Sequence, residues 1–181
     1  MGKRSTFSRV ERDNYETPAA AVAPLLRWLP EGSRYLEPCA GTGRLIEHLT
    51  SAGHILVSAH DLPTDARTAR YDIPPGAVII TNPPWSRPVL HEIIVNLSDQ
   101  APAWLLIDAD WVHTQQSIPY QSRLRMIVSV GRVRWIPGSP YDGKDNCCWH
   151  LFERPSAWAT TRFIGRMPRE REEPLLLEAA E

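Results

Sequence analysis

Arg34-Tyr35-Leu36-Glu37-Pro38-Cys39-Ala40-Gly41-Thr42-Gly43 reads as a short strand running into a turn of small residues. Leu45, Ile46 and Leu49 follow at helical spacing and mark an amphipathic helix that ends near Gly53. Strand, glycine turn and helix in that order open a nucleotide-binding unit. The glycines let backbone approach a ligand closely, and the helix N-terminus offers unpaired N–H groups. Gly41-x-Gly43 alone is weakly specific. A dinucleotide fingerprint wants a third small residue where Ile46 stands, and a triphosphate loop wants Gly-Lys-Ser/Thr, which the sequence lacks.

Outward from that unit, His54 to Ala59 alternates as a second strand and Asp61 falls at its end. An acidic side chain there accepts hydrogen bonds from both ribose hydroxyls, or simply starts a loop. Ala77-Val78-Ile79-Ile80 is a buried strand stopped by Thr81-Asn82-Pro83-Pro84-Trp85, at the carboxyl end where open α/β sheets place their ligands. Pro83 and Pro84 lack an N–H and fix φ, so the carbonyls around them are held outside any helix or ladder. With the Asn82 amide and the Trp85 π face they suit a planar group carrying an exocyclic NH2. The other reading has Asn-Pro-Pro ending a strand and Trp85 filling core.

Val89, Leu90, Ile93, Ile94 and Leu97 place a packing helix over 87–99, and Ala103 to Ile107 forms a strand ending at Asp108. Between the second strand and Ala77, only Tyr71-Asp72-Ile73 suggests a further strand, the weakest of the set. Residues 110–122, with Trp111 and Tyr120, form a loop or short helix on the ligand side. Met126 to Ile136 and Asn146 to Phe152 are strands joined by a Pro/Gly/Asp-rich connection, hence a hairpin at the sheet edge. Near the start, Ala19 to Leu29 is helical, with Thr17 as N-cap and Pro18 first in the helix. The expected fold is α/β and Rossmann-like: a mixed central sheet with an antiparallel hairpin edge and helices on both faces.

A chain of 181 residues suits one domain, here 14–165, between a flexible basic segment 1–13 and a charged tail 166–181. The first segment carries Lys3, Arg4, Arg9 and Arg12 and is either a solvated terminus or a phosphate-contacting arm. A net charge of −1 announces no polyanion partner for the whole molecule, but leaves room for a local basic face at Arg123, Arg125, Arg132 and Arg134. Cys39, Cys147 and Cys148 show neither C-x-x-C nor histidine at ligand spacing, so no metal site is expected and the cysteines read as reduced. The sequence shows no signal-length apolar segment and no span for a bilayer, so a cytoplasmic protein without a membrane partner is expected.

Taken together and in order, these motifs resemble the class I S-adenosylmethionine-dependent methyltransferases, and within them the enzymes that methylate adenine N6 in DNA. The likeness covers about residues 14–153. It implies S-adenosyl-L-methionine as cofactor and nucleic acid, most simply DNA, as partner. Glu37, Pro38, Cys39, Ala40, Gly41 and Gly43 resemble the loop that wraps the cofactor's methionine end. Asp61 is similar to the residue on its ribose, Asp72 to the one near its adenine amino group. Tyr15-Glu16-Thr17-Pro18 resembles the segment closing over the methionine carboxylate, with Tyr15 and Thr17 as contacts. Asn82, Pro83, Pro84 and Trp85 match the catalytic Asn-Pro-Pro-aromatic motif, Asn82 lying against cofactor as well.

By the same resemblance the target base flips out and stacks on Trp85, while Trp111, Arg123, Arg125, Arg132 and Arg134 contact nucleic acid. The chain departs from members with a target-recognition domain, since too little sequence flanks the catalytic motif. That fits a small stand-alone or mobile-element enzyme better than a restriction partner. The motif also serves enzymes acting on RNA amino groups or on a protein glutamine amide, and a non-catalytic methyltransferase-like subunit is a further alternative. A nicotinamide dehydrogenase leaves Asn82-Pro83-Pro84-Trp85 unexplained. Oligomeric state is not legible in the sequence.

Overall fold

The computed structural model describes residues 16–166. Its strands are β1 (Arg34–Glu37), β2 (Ile55–Ala59), β3 (Val78–Thr81), β4 (Ala103–Asp108), β5 (Leu124–Gly131), β6 (Cys147–Phe152) and β7 (Arg162–Ile164). They lie side by side in the order β2-β1-β3-β4-β6-β5-β7. The first four pair in parallel, β6 runs antiparallel to both β4 and β5, and β7 returns parallel to β5. The mixed α/β sheet with its antiparallel hairpin is the architecture the sequence predicts, with one short strand added beyond the hairpin.

Period-two alternation sorts the strand side chains into two cores. Tyr35, Ile80, Trp104, Leu106 and Trp149 pack with Ala21, Leu25, Leu45 and Leu49 of helices α1 (Ala19–Leu26) and α2 (Arg44–Ser51). Their neighbours Leu36, Ile79, Leu105, Ile107 and Phe152 pack with Leu90, Ile93, Ile94 and Leu97 of α3 (Arg87–Ser98). Helices therefore cover both faces. Each fully buried Leu or Ile contributes about 1.5–3 kcal/mol of transfer free energy. The indole N–H of Trp149 donates to the Ala21 carbonyl at 2.7 Å, fixing α1 to the sheet.

Two expectations about elements are corrected. Tyr71-Asp72-Ile73 is no strand: side chains at the end of α3 and just past it hold this connector, the Tyr71 N–H donating to Gln100 Oε1 at 3.0 Å and Asn96 Nδ2 donating to the preceding Ala66 and Ala69 carbonyls. Thr17 does not cap α1; Pro18 is the N-cap, without a side-chain bond, and Thr17 is buried instead. Residues 110–122, expected as a loop or short helix, form two 3-10 helices, Ala109–His113 and Gln115–Arg123, that send Trp111 inward. Among the described residues, no helix is long and apolar enough to cross a membrane.

Candidate active site

The strand order reverses at β1, whose neighbours β2 and β3 come from opposite directions of the winding, so a crevice opens at the carboxyl ends of these strands. Glu37 closes β1, Asp61 follows β2 and Asn82 follows β3. They meet in one cleft of about 580 Å³, lined by Thr17, the Glu37–Gly41 loop, Asp61, Asn82 and Pro84, and also by Glu16, Asp65, Arg67, Val89 and Ile93. The loop is held by backbone bonds to the β2 end: the His60 N–H donates to the Glu37 carbonyl and the Ala40 N–H to the His60 carbonyl, each at 2.8 Å. Gly41 and Gly43 carry φ of 52° and 89°, left-handed values that a glycine adopts without strain. Gly43 is the N-cap of α2 and stands behind the lining, not in it.

Glu37 is 1% exposed. Its Oε1 accepts the Cys39 N–H at 2.9 Å, while Oε2 is buried without a hydrogen-bond partner. Burial, with the Asp61 carboxylate adding to it, pushes the Glu37 carboxyl up to about 8 against the bonds it accepts. Burial, and then the neighbouring Glu37, pushes the Cys39 thiol up to about 12, so Cys39 is a wall of the cleft and no nucleophile. The two arginines of the cleft are held by acids: Arg44 by Glu47 at 2.9 Å and Glu16 at 3.7 Å, Arg67 by Asp65 at 2.6 Å and Glu92 at 3.4 Å.

Pro83 is buried and Pro84 lines the cleft, while Trp85 is outside its lining. The Trp85 indole donates to the Leu106 carbonyl at 3.0 Å and meets Trp135 edge to face, with centroids 5.7 Å apart. It is half-buried and packs against both cores.

Several expected site residues lie elsewhere. Asp72 is exposed and outside the cleft lining, where Asp65 stands instead, its carboxylate drawn below the usual range by hydrogen bonds from Arg67. Trp111 is fully buried among His150 and Phe152, with its indole N–H on His91 Nε2 at 3.1 Å, and is unavailable to nucleic acid. Arg123 and Arg125 sit at the wrong end of the sheet. Leu124 pairs with Phe152 and Phe152 with Ala103, at the start of β4, because β5 and β6 run antiparallel. There Arg123 binds Asp99 at 2.6 Å and Arg125 binds Glu153 at 3.2 Å, about 20 Å of strand away from the cleft end. Arg132 and Arg134, just past Gly131, are exposed at the cleft end. Tyr15 lies outside the described residues.

Asp65 and Arg67 carried no motif in a polar connector, so nothing in their spacing marked them. Val89 and Ile93 did carry a signal: an i, i+4 apolar pair on the first turns of the helix that follows Asn82-Pro83-Pro84.

No protein-family model matches the sequence, and no curated protein matches it. Among solved structures, the chain is similar to the methyltransferase subunit of a type I restriction-modification system from Streptococcus thermophilus, at 8% identity and a TM-score of 0.48, over 77% of this chain and 45% of that one. It is also similar to a dimethyladenosine transferase from Plasmodium falciparum, at 13% identity and a TM-score of 0.44, over 78% and 63% of the two chains. A third is a release-factor-specific protein-(glutamine-N5) methyltransferase from Alicyclobacillus acidocaldarius, at 18% identity and a TM-score of 0.38, over 80% and 98%. The chain thus spans less than two thirds of the length of the first two.

Proposed function

We propose that the protein is an S-adenosylmethionine-dependent methyltransferase that transfers a methyl group to the exocyclic N6 of adenine in DNA, on a base flipped out of the duplex. The observation that carries this reading is the convergence of Glu37–Gly41, Asp61, Asn82 and Pro84 on a single cleft at the reversal of strand order. Its volume of about 580 Å³ falls within the range of small-molecule sites. The donor set also fits: Glu37 presents a buried oxygen without a partner to a cationic amino-acid end, Asp61 suits a ribose diol, and Val89 and Ile93 supply apolar wall for a purine. When bound, the cofactor supplies a methyl group already activated by its sulfonium.

The chain's own residues then orient and hold. An exocyclic adenine nitrogen is a poor nucleophile because its lone pair is delocalised into the ring, so acceptors that draw its hydrogens favour attack. Asn82 Oδ1 and the Pro83 carbonyl are those acceptors, and the two prolines keep the turn from relaxing. Trp85, locked by its bond to the Leu106 carbonyl, offers its exposed part as a rigid surface for the flipped base. Arg132 and Arg134 hold the phosphate backbone at the same end.

Incubation of the purified protein with methyl-labelled S-adenosylmethionine and DNA, RNA or protein in parallel tests this. Label recovered as N6-methyladenine from DNA is the expected result. Label confined to RNA or protein overturns the substrate, and transfer to none of the three overturns the activity.

A further inference from the structure

Among the described residues, no cation stands beside Glu37. The groups that face it are Asp61 after β2, the Thr81 hydroxyl of β3, the Cys39 thiol of its own loop, Tyr35 of β1, and Tyr71 from the connector, where Asp65 adds another acid beside Cys39. Arg44 and Arg67, the guanidinium groups in the cleft lining, make their ion pairs with Glu16, Glu47, Asp65 and Glu92. Glu37 Oε2 is buried without a hydrogen-bond partner of good geometry, with the buried Thr81 hydroxyl beside the carboxyl. An ionised carboxylate withdrawn from water without a cation costs several kcal/mol, and such a group keeps its proton instead.

We infer that Glu37 is a neutral carboxylic acid in the ligand-free protein and becomes a carboxylate when an ammonium group docks on its free oxygen, so that cofactor binding expels one proton to solvent. This deepens the proposed function and rests on it. The step balances: the carboxyl O–H bond breaks, its proton goes to buffer, and the ammonium N–H donates to Oε2. The rise of the Glu37 carboxyl to about 8 puts the switch across neutral pH. The device also selects a ligand class, because an adenosine derivative lacking the amino-acid end has nothing to ionise Glu37. Below about pH 7 an α-amino group is charged, so affinity for the cofactor should rise about tenfold per pH unit there.

Titration calorimetry at about pH 6.5, in two buffers of different ionisation enthalpy, reads the protons released. S-adenosylmethionine should release about one proton, 5′-methylthioadenosine, which lacks the amino-acid end, about none, and Glu37→Gln about none with either. Cofactor that binds without proton release overturns the inference and leaves the proposed function standing, as does equal release with both ligands. If 5′-methylthioadenosine binds too weakly to measure, release that persists undiminished in Glu37→Gln overturns it. Absence of cofactor binding to the wild-type protein overturns both.

Discussion

Trp85 is first a packing residue, and the base-stacking role proposed for it has to be separated from that. Its indole N–H is committed to the Leu106 carbonyl, and its ring is wedged between two cores beside Trp135. Truncation therefore removes apolar contact and leaves a cavity, costing about 3 kcal/mol of stability. Trp85→Phe keeps a ring and gives up the indole bond, for about 1 kcal/mol. If the ring also stacks the flipped base, Trp85→Ala weakens binding to DNA with an abasic or mismatched target position beyond what unfolding explains. Thermal melts and DNA binding at a temperature where both variants are folded check this. A destabilised Trp85→Ala protein that binds such DNA as tightly as wild type does removes the stacking role.

Among the elements, β6 carries a residue whose charge state is set by its strand. His150 is fully buried, with Nδ1 3.1 Å from the Cys148 carbonyl and its ring stacked on Phe152, and burial holds it down at about 4. Its folded value lies below the ordinary value of about 6.5, so the unfolded chain takes up a proton first as pH falls. Stability is thus present above about pH 6.5 and declines down to about pH 4, by roughly 3 kcal/mol from this group. Denaturant midpoints at pH 7 and pH 4.5 should show a smaller loss for His150→Leu than for wild type; an equal loss contradicts the account.

The elements that sequence made legible are those whose signal is local: the glycine turn after β1, the apolar run cut by Pro83-Pro84, and the helical spacing of Leu90, Ile93, Ile94 and Leu97. What it missed depends on distant partners. The expected strand at Tyr71 was displaced by Asn96 of α3 and Gln100 just past its end, β7 is three residues whose ladder is with β5, and Trp111 sits in a polar stretch while its ring partners His150 and Phe152 come from β6. The cleft residues legible in advance were those in motifs; Asp65 and Arg67 became visible only when the connector was folded against α3.

At the scale of the whole molecule, the antiparallel turn of β5 divides the basic residues between two ends of the sheet. Arg132 and Arg134 are exposed at the cleft end, Arg134 with a loose, solvated ion pair to Asp142 at 3.7 Å, whereas Arg123 and Arg125 pair with Asp99 at 2.6 Å and Glu153 at 3.2 Å at the other. Removing Arg132 or Arg134 should lower the slope of log DNA affinity against log salt by about 1, and removing Arg123 or Arg125 should leave it unchanged. Fluorescence titrations across a salt series distinguish the two pairs, and a slope change confined to Arg123 and Arg125 contradicts the placement of DNA.

The proposed reaction turns on Asn82-Pro83-Pro84, of which Asn82 and Pro84 line the cleft. The most direct measurement is single-turnover methylation by Asn82→Ala, with cofactor affinity determined on the same preparation. The account predicts a chemical step slowed about 10²–10³-fold, with fold and cofactor affinity nearly intact. A variant that methylates at the wild-type rate contradicts it.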